Sequence, residues 1–346
     1  MSKARDKRGP LALDLPEHKI VIDREVGKIS EIKIADKFES MRVIEECMIQ
    51  ANVCAAESLE AKKSPLIYRI HDAPSREKLM ALSEFLETLD MKVTKGAVMK
   101  PAQFNQILAK VKDTEYAQMV SDVVLRSQAQ AIYSPDNLGH FGLNLRRYAH
   151  FTSPIRRYAD LIVHRSLISC LKLGSDGLSD DDVKLMSQTA EHISQTERRS
   201  MVAERDSNDR YIASYLEKQI GAEFTGRISG VTRFGLFIRL SDTGADGLIP
   251  IASLDNDFYH HDEGAHALIG DRTGIRYRIG DPVRVRLEEA TPVTGGLRFT
   301  MLEGGTEGQG KRRGKNGGRP NSGPGGGGKK PYKRSGGRNA RPRGKK

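Results

Sequence analysis

The hydrophobic pattern of this chain changes abruptly at Gly221, and the change divides the fold into two kinds of structure. Before it, apolar residues such as Met41, Ile44 and Met48 recur every three or four positions, which predicts amphipathic helices. From residue 221 to residue 303, apolar and polar residues alternate between Gly and Asp turns, which predicts about five short strands. Such strands over this length favour a small closed barrel of the OB-fold type. The sequence therefore predicts an α+β chain, with a largely helical part over residues 1–219 and a β-barrel over residues 221–303.

Within the helical part a β-hairpin is predicted first, because apolar residues alternate over 19–23 and 28–34. Helices are predicted next over residues 38–61, 76–89, 101–111 and 113–129. A further long helix is predicted to run to about residue 219, with Ser179 as its N-cap. We interpret the acidic run at residues 180–182 as favouring the positive end of this helix, in preference to a metal site.

The last part of the chain, residues 304–346, is rich in glycine and basic residues. From Gly305 onward it carries 14 Lys and Arg against one acid, whereas the whole chain has a net charge of +11, so the preceding part is slightly acidic. A segment with so few apolar residues cannot form a core and is predicted to be disordered. It is either a solubilising linker or an arm that tethers RNA through counterion release, and its composition favours the second interpretation.

The chain is predicted to be cytoplasmic. It contains no run of about 18 apolar residues that would span a membrane, and its N-terminus lacks the apolar core of a secretory signal. Its three cysteines, Cys47, Cys54 and Cys170, stand apart from one another among helical apolar residues. They are predicted to be small buried hydrophobes in a reducing compartment, in preference to metal ligands or nucleophiles.

The stretch HFGLNLRRYAHFTSPIRRYADLIVHR, residues 140–165, concentrates side chains that suit phosphate chemistry. Ser153 as N-cap and Pro154 at the first helical position predict that a helix starts here. Arg156 would then lie in the first turn, on one face with Asp160 and His164. The free amides and partial positive charge of a helix N-terminus favour a phosphate. The alternative is a structural salt bridge between Arg156 and Asp160.

Arg146, Arg147 and Arg157 add positive charge near this predicted helix. A guanidinium binds phosphate through two parallel hydrogen bonds, a geometry that lysine does not reproduce. The cluster therefore favours a phosphate or RNA site over a purely structural helix.

In the predicted barrel, the segment TRFGLFIRL carries two aromatic side chains, Phe234 and Phe237. Their spacing places them on opposite faces of a regular strand, unless a bulge at Gly235 brings both to one face. Exposed rings flanked by Arg233 and Arg239 would stack on the bases of single-stranded RNA. The alternative is that both rings belong to the barrel core.

Together these motifs resemble the RNB family of ribonucleases, in its RNase R branch. The resemblance rests on HFGL followed by YAHFTSPIRRYADLIVHR, with RGPLALDLPE, IEECMIQANVCAA and YRIHDAPS upstream and MVAERD downstream. The predicted barrel resembles an S1-type RNA-binding domain, and a basic tail is common in this branch. The likeness covers nearly the whole chain.

The resemblance implies a 3′→5′ exoribonuclease that uses Mg²⁺ and releases nucleoside 5′-monophosphates from single-stranded or structured RNA. It implies that Arg156 contacts the scissile phosphate and supports catalysis, and that Glu204, in MVAERD, lies near the 3′-terminal nucleotides. In the barrel it implies RNA contacts for Phe234 and Phe237, with Arg298 at a basic position near the last strand.

The barrel departs from the S1 pattern at Pro250, where histidine is usual, and Tyr259, His260 or His261 could supply the polar contact instead. A zinc site at these histidines together with His266 is disfavoured against a solvated loop.

A larger departure concerns the metal. The family holds Mg²⁺ with a cluster of closely spaced aspartates, and no part of this sequence matches that cluster. The chain is therefore expected to be the C-terminal part of an RNB domain, to lack catalytic activity alone, and to need the missing N-terminal half as a partner. The rival hypothesis is a non-catalytic protein that binds single-stranded RNA. A monomer is expected in either case.

Overall fold

The computed structural model describes residues 2–307, except residues 14, 26, 92, 94–98, 115, 255–256 and 264. Its helices are α1 Ser2–Arg8, α2 Glu39–Ala61, α3 Arg76–Glu87, α4 Pro101–Val111, α5 Ala117–Ser127, α6 Tyr158–Leu171, α7 Asp180–Lys184 and α8 Met186–Leu216. Its strands are β1 His18–Asp23, β2 Lys28–Ile34, β3 Tyr68–Ile70, β4 Ile132–Ser134, β5 Glu223–Thr232, β6 Gly235–Leu240, β7 Asp246–Pro250, β8 Tyr259–Asp262, β9 Ala267–Gly270, β10 Ile275–Arg278, β11 Pro282–Thr291, β12 Gly296–Glu303 and β13 Thr306–Glu307. Most of the predicted tail, from residue 308 onward, lies outside the described residues.

Local sequence signals mark the starts of α3, α4 and α7. Pro101 is the first residue of α4, as predicted. The Ser179 hydroxyl accepts a hydrogen bond from the amide of Asp182, and the Asp182 carboxylate accepts one from the amide of Ser179, so the acidic run caps α7 as predicted. The predicted single long helix is wrong, because the chain leaves helical geometry at Leu185 and continues as α8.

The helices of the first part bury one narrow face each. On α2, Ala55, Ala56 and Leu59 pack with the strand β3 and with Val163 of α6. The helices α2 and α6 are in contact here, and each also bonds Phe151, just before the turn that contains Arg156. A separate core joins α3, α4 and α5 around Phe104.

The prediction for the cysteines is wrong for two of the three. Cys47 and Cys54 are exposed, and only Cys170 is half-buried. Both exposed cysteines lie on α2, outside the face that packs on α6, because helical periodicity turns only part of this apolar helix inward. No helix among the described residues is long and apolar enough to cross a membrane.

The barrel prediction is confirmed. Five strands close in the order β11-β12-β7-β6-β5, with a parallel contact between β12 and β7 where Arg298 is paired with Leu248. On β6, alternation turns Leu236, Ile238 and Leu240 into the core and leaves Phe237 outside.

The segment of Tyr259, His260, His261 and His266, which lies between the third and fourth barrel strands, was interpreted from the sequence as a solvated loop, and that interpretation is wrong. That region forms β8, β9 and β10, which join β13 in a second antiparallel sheet of four strands. These strands have four residues or fewer, and β8 reads YHHD, so no apolar alternation marks them.

One element, α8, connects the helical part with the barrel. Its buried residues are near its two ends, Met186 and Ala190 at the start and Ala213 and Leu216 at the finish. Every residue from 198 to 211 is exposed. The middle of the helix is therefore exposed all round, even at the apolar residues Met201 and Val202.

Candidate nucleic-acid site

Arg156 lies in a turn that precedes the helix, and the predicted start of the helix at Ser153 is wrong. The amides of Arg156 and Arg157 donate to the carbonyl of Ser153 over 3.3 and 3.1 Å, which closes a single turn. Arg157 is then extended, with φ −125° and ψ 119°, so helical geometry begins only at Tyr158. Arg156 is exposed on this turn.

Asp160 holds the turn against α6. Its fully buried carboxylate accepts a hydrogen bond from the amide of Ser153 at 2.7 Å and two from the guanidinium of Arg157, each at 2.8 Å. Although burial disfavours the charge of Arg157, the hydrogen bonds to Asp160 raise the pKa of its guanidinium. The salt bridge predicted as the alternative for Arg156 thus belongs to its neighbour. Among the described residues Arg156 has no carboxylate partner, which leaves its guanidinium available to a ligand.

The backbone just before this turn is fixed to two helices. Asn52, on α2 and only 3% exposed, donates from its amide nitrogen to the Tyr148 hydroxyl at 3.0 Å and accepts from the amide of Phe151 at 2.9 Å. His164, on α6, lies 2.9 Å from the carbonyl of Phe151 and stacks on its ring at 4.4 Å. His164 therefore supports the turn and does not share a face with Arg156 as predicted. The sequence signal for Asn52 was a polar residue within the apolar face of α2.

The remaining predicted basic residues differ in their availability. Arg147 donates to Glu60 of α2 at 2.6 Å, and this hydrogen bond lowers the pKa of the Glu60 carboxyl. Arg146 is exposed and has no carboxylate partner among the described residues. Glu204 lies in the exposed middle of α8. No hydrogen bond or ion pair in the described part of the chain joins Arg156 to Glu204 or to the barrel, and the contacts that fix its turn come from Arg157 and Asp160.

A row of aromatic and histidine rings lies beneath the site and was not predicted. Ring centroids are 5.2 Å apart for His140 and Tyr148, 5.7 Å for Tyr148 and His150, and 5.6 Å for His150 and Tyr133. The Tyr133 hydroxyl lies 2.9 Å from Nδ1 of His150, and the amide of Leu143 donates to Nδ1 of His140 at 3.2 Å. Burial lowers the pKa of both histidines to about 3.

These histidines make the fold sensitive to acid. Their folded-state pKa lies below the unfolded value, so the stability they contribute is complete above about pH 6.5 and is lost as the pH falls toward 3. Between pH 7 and pH 5 we expect a loss of about 2 kcal/mol in the free energy of unfolding for each histidine. His150→Gln should remove one such contribution in urea titrations at the two pH values. His192→Gln, at an exposed position of α8, is the matched control, and an unchanged pH dependence in His150→Gln would contradict the assignment.

In the barrel both predicted aromatic rings are exposed, by 65% for Phe234 and 41% for Phe237, so the alternative that they form core is wrong. Phe234 lies in the turn before β6, and Arg233 stacks over its ring at 4.8 Å. The irregularity in pairing lies in β5, between Ile228 and Gly230, and not at Gly235 as predicted.

Two barrel arginines are engaged by carboxylates. Arg239 bonds Asp246 at 3.1 Å and Asp122 of α5 at 3.3 Å, so it joins the barrel to the helical part. Arg298 pairs with its cross-strand neighbour Glu289 at 3.0 Å. Arg239 is therefore less available to RNA than its position in the sequence suggested.

No group of three or more His, Cys, Asp or Glu side chains in the described part of the chain is placed to hold a metal ion. His260, one of the histidines considered for zinc, pairs instead with Asp271 at 2.9 Å. The described carboxylates therefore do not fit the Mg²⁺ that the family resemblance implies.

Two domain profiles match the chain. The RNB domain profile matches residues 1–173, and the profile of the S1 RNA binding domain matches residues 217–301. Ribonuclease R of Escherichia coli (strain K12) is 38% identical over 310 residues, which are 87% of this chain and 38% of that protein.

Solved structures of RNase R are similar to this chain as well. The apo form of Mycoplasma genitalium RNase R has a TM-score of 0.81 at 32% identity, over 87% of this chain and 47% of that one. The same protein in complex with ribose methylated single-stranded RNA has a TM-score of 0.80 at 31% identity, with the same coverage. The chain thus spans less than half of the length of these relatives. The RNB profile matches half of the chain, and a five-stranded barrel follows in the part that the S1 profile matches. The chain therefore belongs to the RNB family of ribonucleases and carries an S1 RNA binding domain.

Proposed function

We propose that this chain takes part in RNA degradation as the RNA-positioning portion of an RNase R-like 3′→5′ exoribonuclease, which hydrolyses RNA to nucleoside 5′-monophosphates. The observation that carries the proposal is the exposed guanidinium of Arg156, without a carboxylate partner among the described residues, on a turn that Asp160 holds in place. In this role Arg156 would bind the scissile phosphate and offset the negative charge that develops on it. Support comes from the RNB match and from the similar M. genitalium RNase R, which was solved with single-stranded RNA.

Catalysis in this proposal needs Mg²⁺, and the described residues offer no cluster of ligands for it. We propose that the metal-binding carboxylates come from a separate N-terminal RNB segment, and that the chain alone binds RNA without cleaving it. The arginines, Glu204 and the barrel would then bind and orient the strand. Hydrolysis would depend on the joined protein.

The test compares two proteins on 5′-labelled single-stranded RNA with Mg²⁺. One is the chain alone, and the other, here called the joined enzyme, is the chain fused behind the preceding segment of Escherichia coli Ribonuclease R. We expect stepwise shortening by the joined enzyme only. EDTA-sensitive shortening by the chain alone would show that it holds its own metal site. A joined enzyme that binds RNA and never shortens it would favour the rival function, a non-catalytic protein that binds single-stranded RNA.

RNA binding by the chain alone is expected to have two separable contributions. Deletion of residues 305–346 removes 14 basic residues, so it should weaken binding to all sequences and flatten the dependence of affinity on salt. Replacement of both Phe234 and Phe237 by alanine should weaken binding by roughly 1–3 kcal/mol per lost stacked base and leave the salt slope nearly unchanged. Fluorescence anisotropy with labelled RNA across a salt series measures both effects. A tail deletion that lowers affinity without changing the slope would contradict the electrostatic role.

A further inference from the structure

A cavity of about 580 Å³ lies where the helical part meets the barrel. Its helical wall comes from α3 and α5, its barrel wall from β5 and β6, and one side from α8. This volume is within the range of pockets that bind small ligands. Residues from three separate parts of the chain therefore converge on one space.

One wall of the cavity presents an aromatic ring. Phe237 projects from β6 with its outer face exposed, and it lines the cavity, whereas Phe234 does not. The residue paired with it across the strands is Gly230, where even a Cβ atom would lie 3.5 Å from Phe237. Because residue 230 is glycine, it has no side chain to cover that edge of Phe237, and a flat group can reach the ring.

The cavity also carries an excess of positive charge. Lys78, Arg126, Arg205 and Arg239 line it, against the carboxylates of Asp209 and Asp246. Arg239 is shared between Asp246 and Asp122, and Arg205 contacts exposed Asp206 at 3.4 Å.

Lys78 and Arg126 differ from the other two cations. Lys78 donates to the carbonyl of Gln128 at 2.6 Å, and Arg126 donates to the carbonyl of Ser229 at 3.0 Å. Neither has a carboxylate within ion-pair distance among the described residues, so carbonyl groups hold both cations in position, and the Asp122 carboxylate acts on Arg126 only from beyond that distance. A phosphate carries the complementary charge and accepts hydrogen bonds from both groups.

We propose that this cavity binds one nucleotide, with the base stacked on Phe237 and the phosphate held by Lys78 and Arg126. The choice of a nucleotide rests on the proposed function, since RNA is the source of such a ligand. A nucleotide within a strand and a free nucleoside 5′-monophosphate present the same base and a phosphate group. The terminal phosphate of the free form carries about −1.5 to −2 charges, which is close to the excess of two positive charges in the lining.

The full chain contains no tryptophan, so Phe237→Trp places a lone tryptophan in the cavity, and this residue can be excited at wavelengths where tyrosine does not absorb. Titration with AMP is expected to quench its fluorescence to saturation, because the base stacks on the indole ring. Ribose 5-phosphate, which has no base, should not quench it. In the same background, Lys78→Gln with Arg126→Gln should shift the AMP titration to at least about tenfold higher concentration, because both charge-assisted contacts to the phosphate are lost.

Two matched controls separate the cavity from the rest of the surface. Arg276→Gln removes an equally basic side chain from an exposed position on β10, outside the cavity, and should leave the titration unchanged. Phe234→Trp places the fluorophore outside the cavity, and its response should not depend on Lys78 and Arg126.

A second titration, with a short RNA in EDTA, distinguishes the two sources of the nucleotide. Quenching by RNA without quenching by AMP would assign the cavity to a nucleotide within a strand.

The proposal is overturned if neither AMP nor RNA quenches the tryptophan at position 237, or if the quenching is insensitive to Lys78→Gln with Arg126→Gln. Equilibrium dialysis of labelled AMP against the unsubstituted chain and the Lys78→Gln, Arg126→Gln variant measures the same binding without the fluorophore. Since no cleavage is measured, a joined enzyme without nuclease activity would overturn the proposed function and leave this result independent.

Discussion

Replacement of Arg156 by lysine is expected to lower the turnover rate of the joined enzyme by about 100-fold or more, the effect of losing one preorganised donor. Lysine keeps the positive charge but lacks the planar fork that makes two hydrogen bonds to phosphate. Because Arg156 is exposed and forms no ion pair among the described residues, the substitution should leave thermal stability nearly unchanged. Single-turnover rates and RNA dissociation constants measured side by side separate catalysis from binding.

Arg146→Lys is the matched control for that experiment, since Arg146 is also exposed and has no carboxylate partner in the described part of the chain. It should change RNA affinity slightly and turnover very little. Unchanged turnover in a folded Arg156→Lys enzyme would remove Arg156 from the catalytic site. An equal loss in both variants would indicate a general effect of charge geometry on RNA binding.

Asp160→Asn is expected to lower the free energy of unfolding by about 3 kcal/mol or more, because it leaves the partly buried guanidinium of Arg157 without its counter-charge. Three hydrogen bonds end on this carboxylate, and one of them anchors Ser153 and therefore the turn that carries Arg156. Urea unfolding followed by circular dichroism measures the effect.

Asp181→Asn provides the comparison, since Asp181 also pairs with a base three residues away, Lys184, but at an exposed position. That substitution should change stability little, because solvent screens an exposed pair. If the two variants were equally stable, the buried pair would not be what holds the turn.

The sequence predicted a change of local structure at Ser153 and Pro154, but it was a poor guide to the geometry that follows. Ser153 followed by Pro154 satisfies the local rules for a helix start, and these residues do form a turn. The helix nevertheless begins at Tyr158, because the buried carboxylate of Asp160 engages both Arg157 and the amide of Ser153. Such a contact depends on what covers the helix in three dimensions, and local propensity carries no information about it.

The barrel shows the same limit. Longer strands with an alternating apolar face, such as β6 and β11, could be predicted because every second residue is apolar and is buried in the core. The four-residue strands β8 and β9 could not, since their pairing with each other and with β10 depends on neighbours. The engagement of Arg239 by Asp122, more than a hundred residues away, was equally invisible in the sequence.

Because the middle of α8 is exposed, the number of residues in this helix matters mainly for the relative orientation of the elements at its two ends. An α-helix advances about 1.5 Å and turns about 100° with each residue, so α8 sets both the spacing and the angular setting of the elements at its two ends. One inserted residue within 198–211 would rotate the barrel end by more than a quarter turn and misalign β6 with α5, where Asp122 meets Arg239. Substitutions at solvent-facing positions that lie outside the cavity and the proposed RNA contacts, such as Ser200 or Ser207, meet no such constraint. Alpha-helical phase therefore fixes the length of this segment more strictly than its composition.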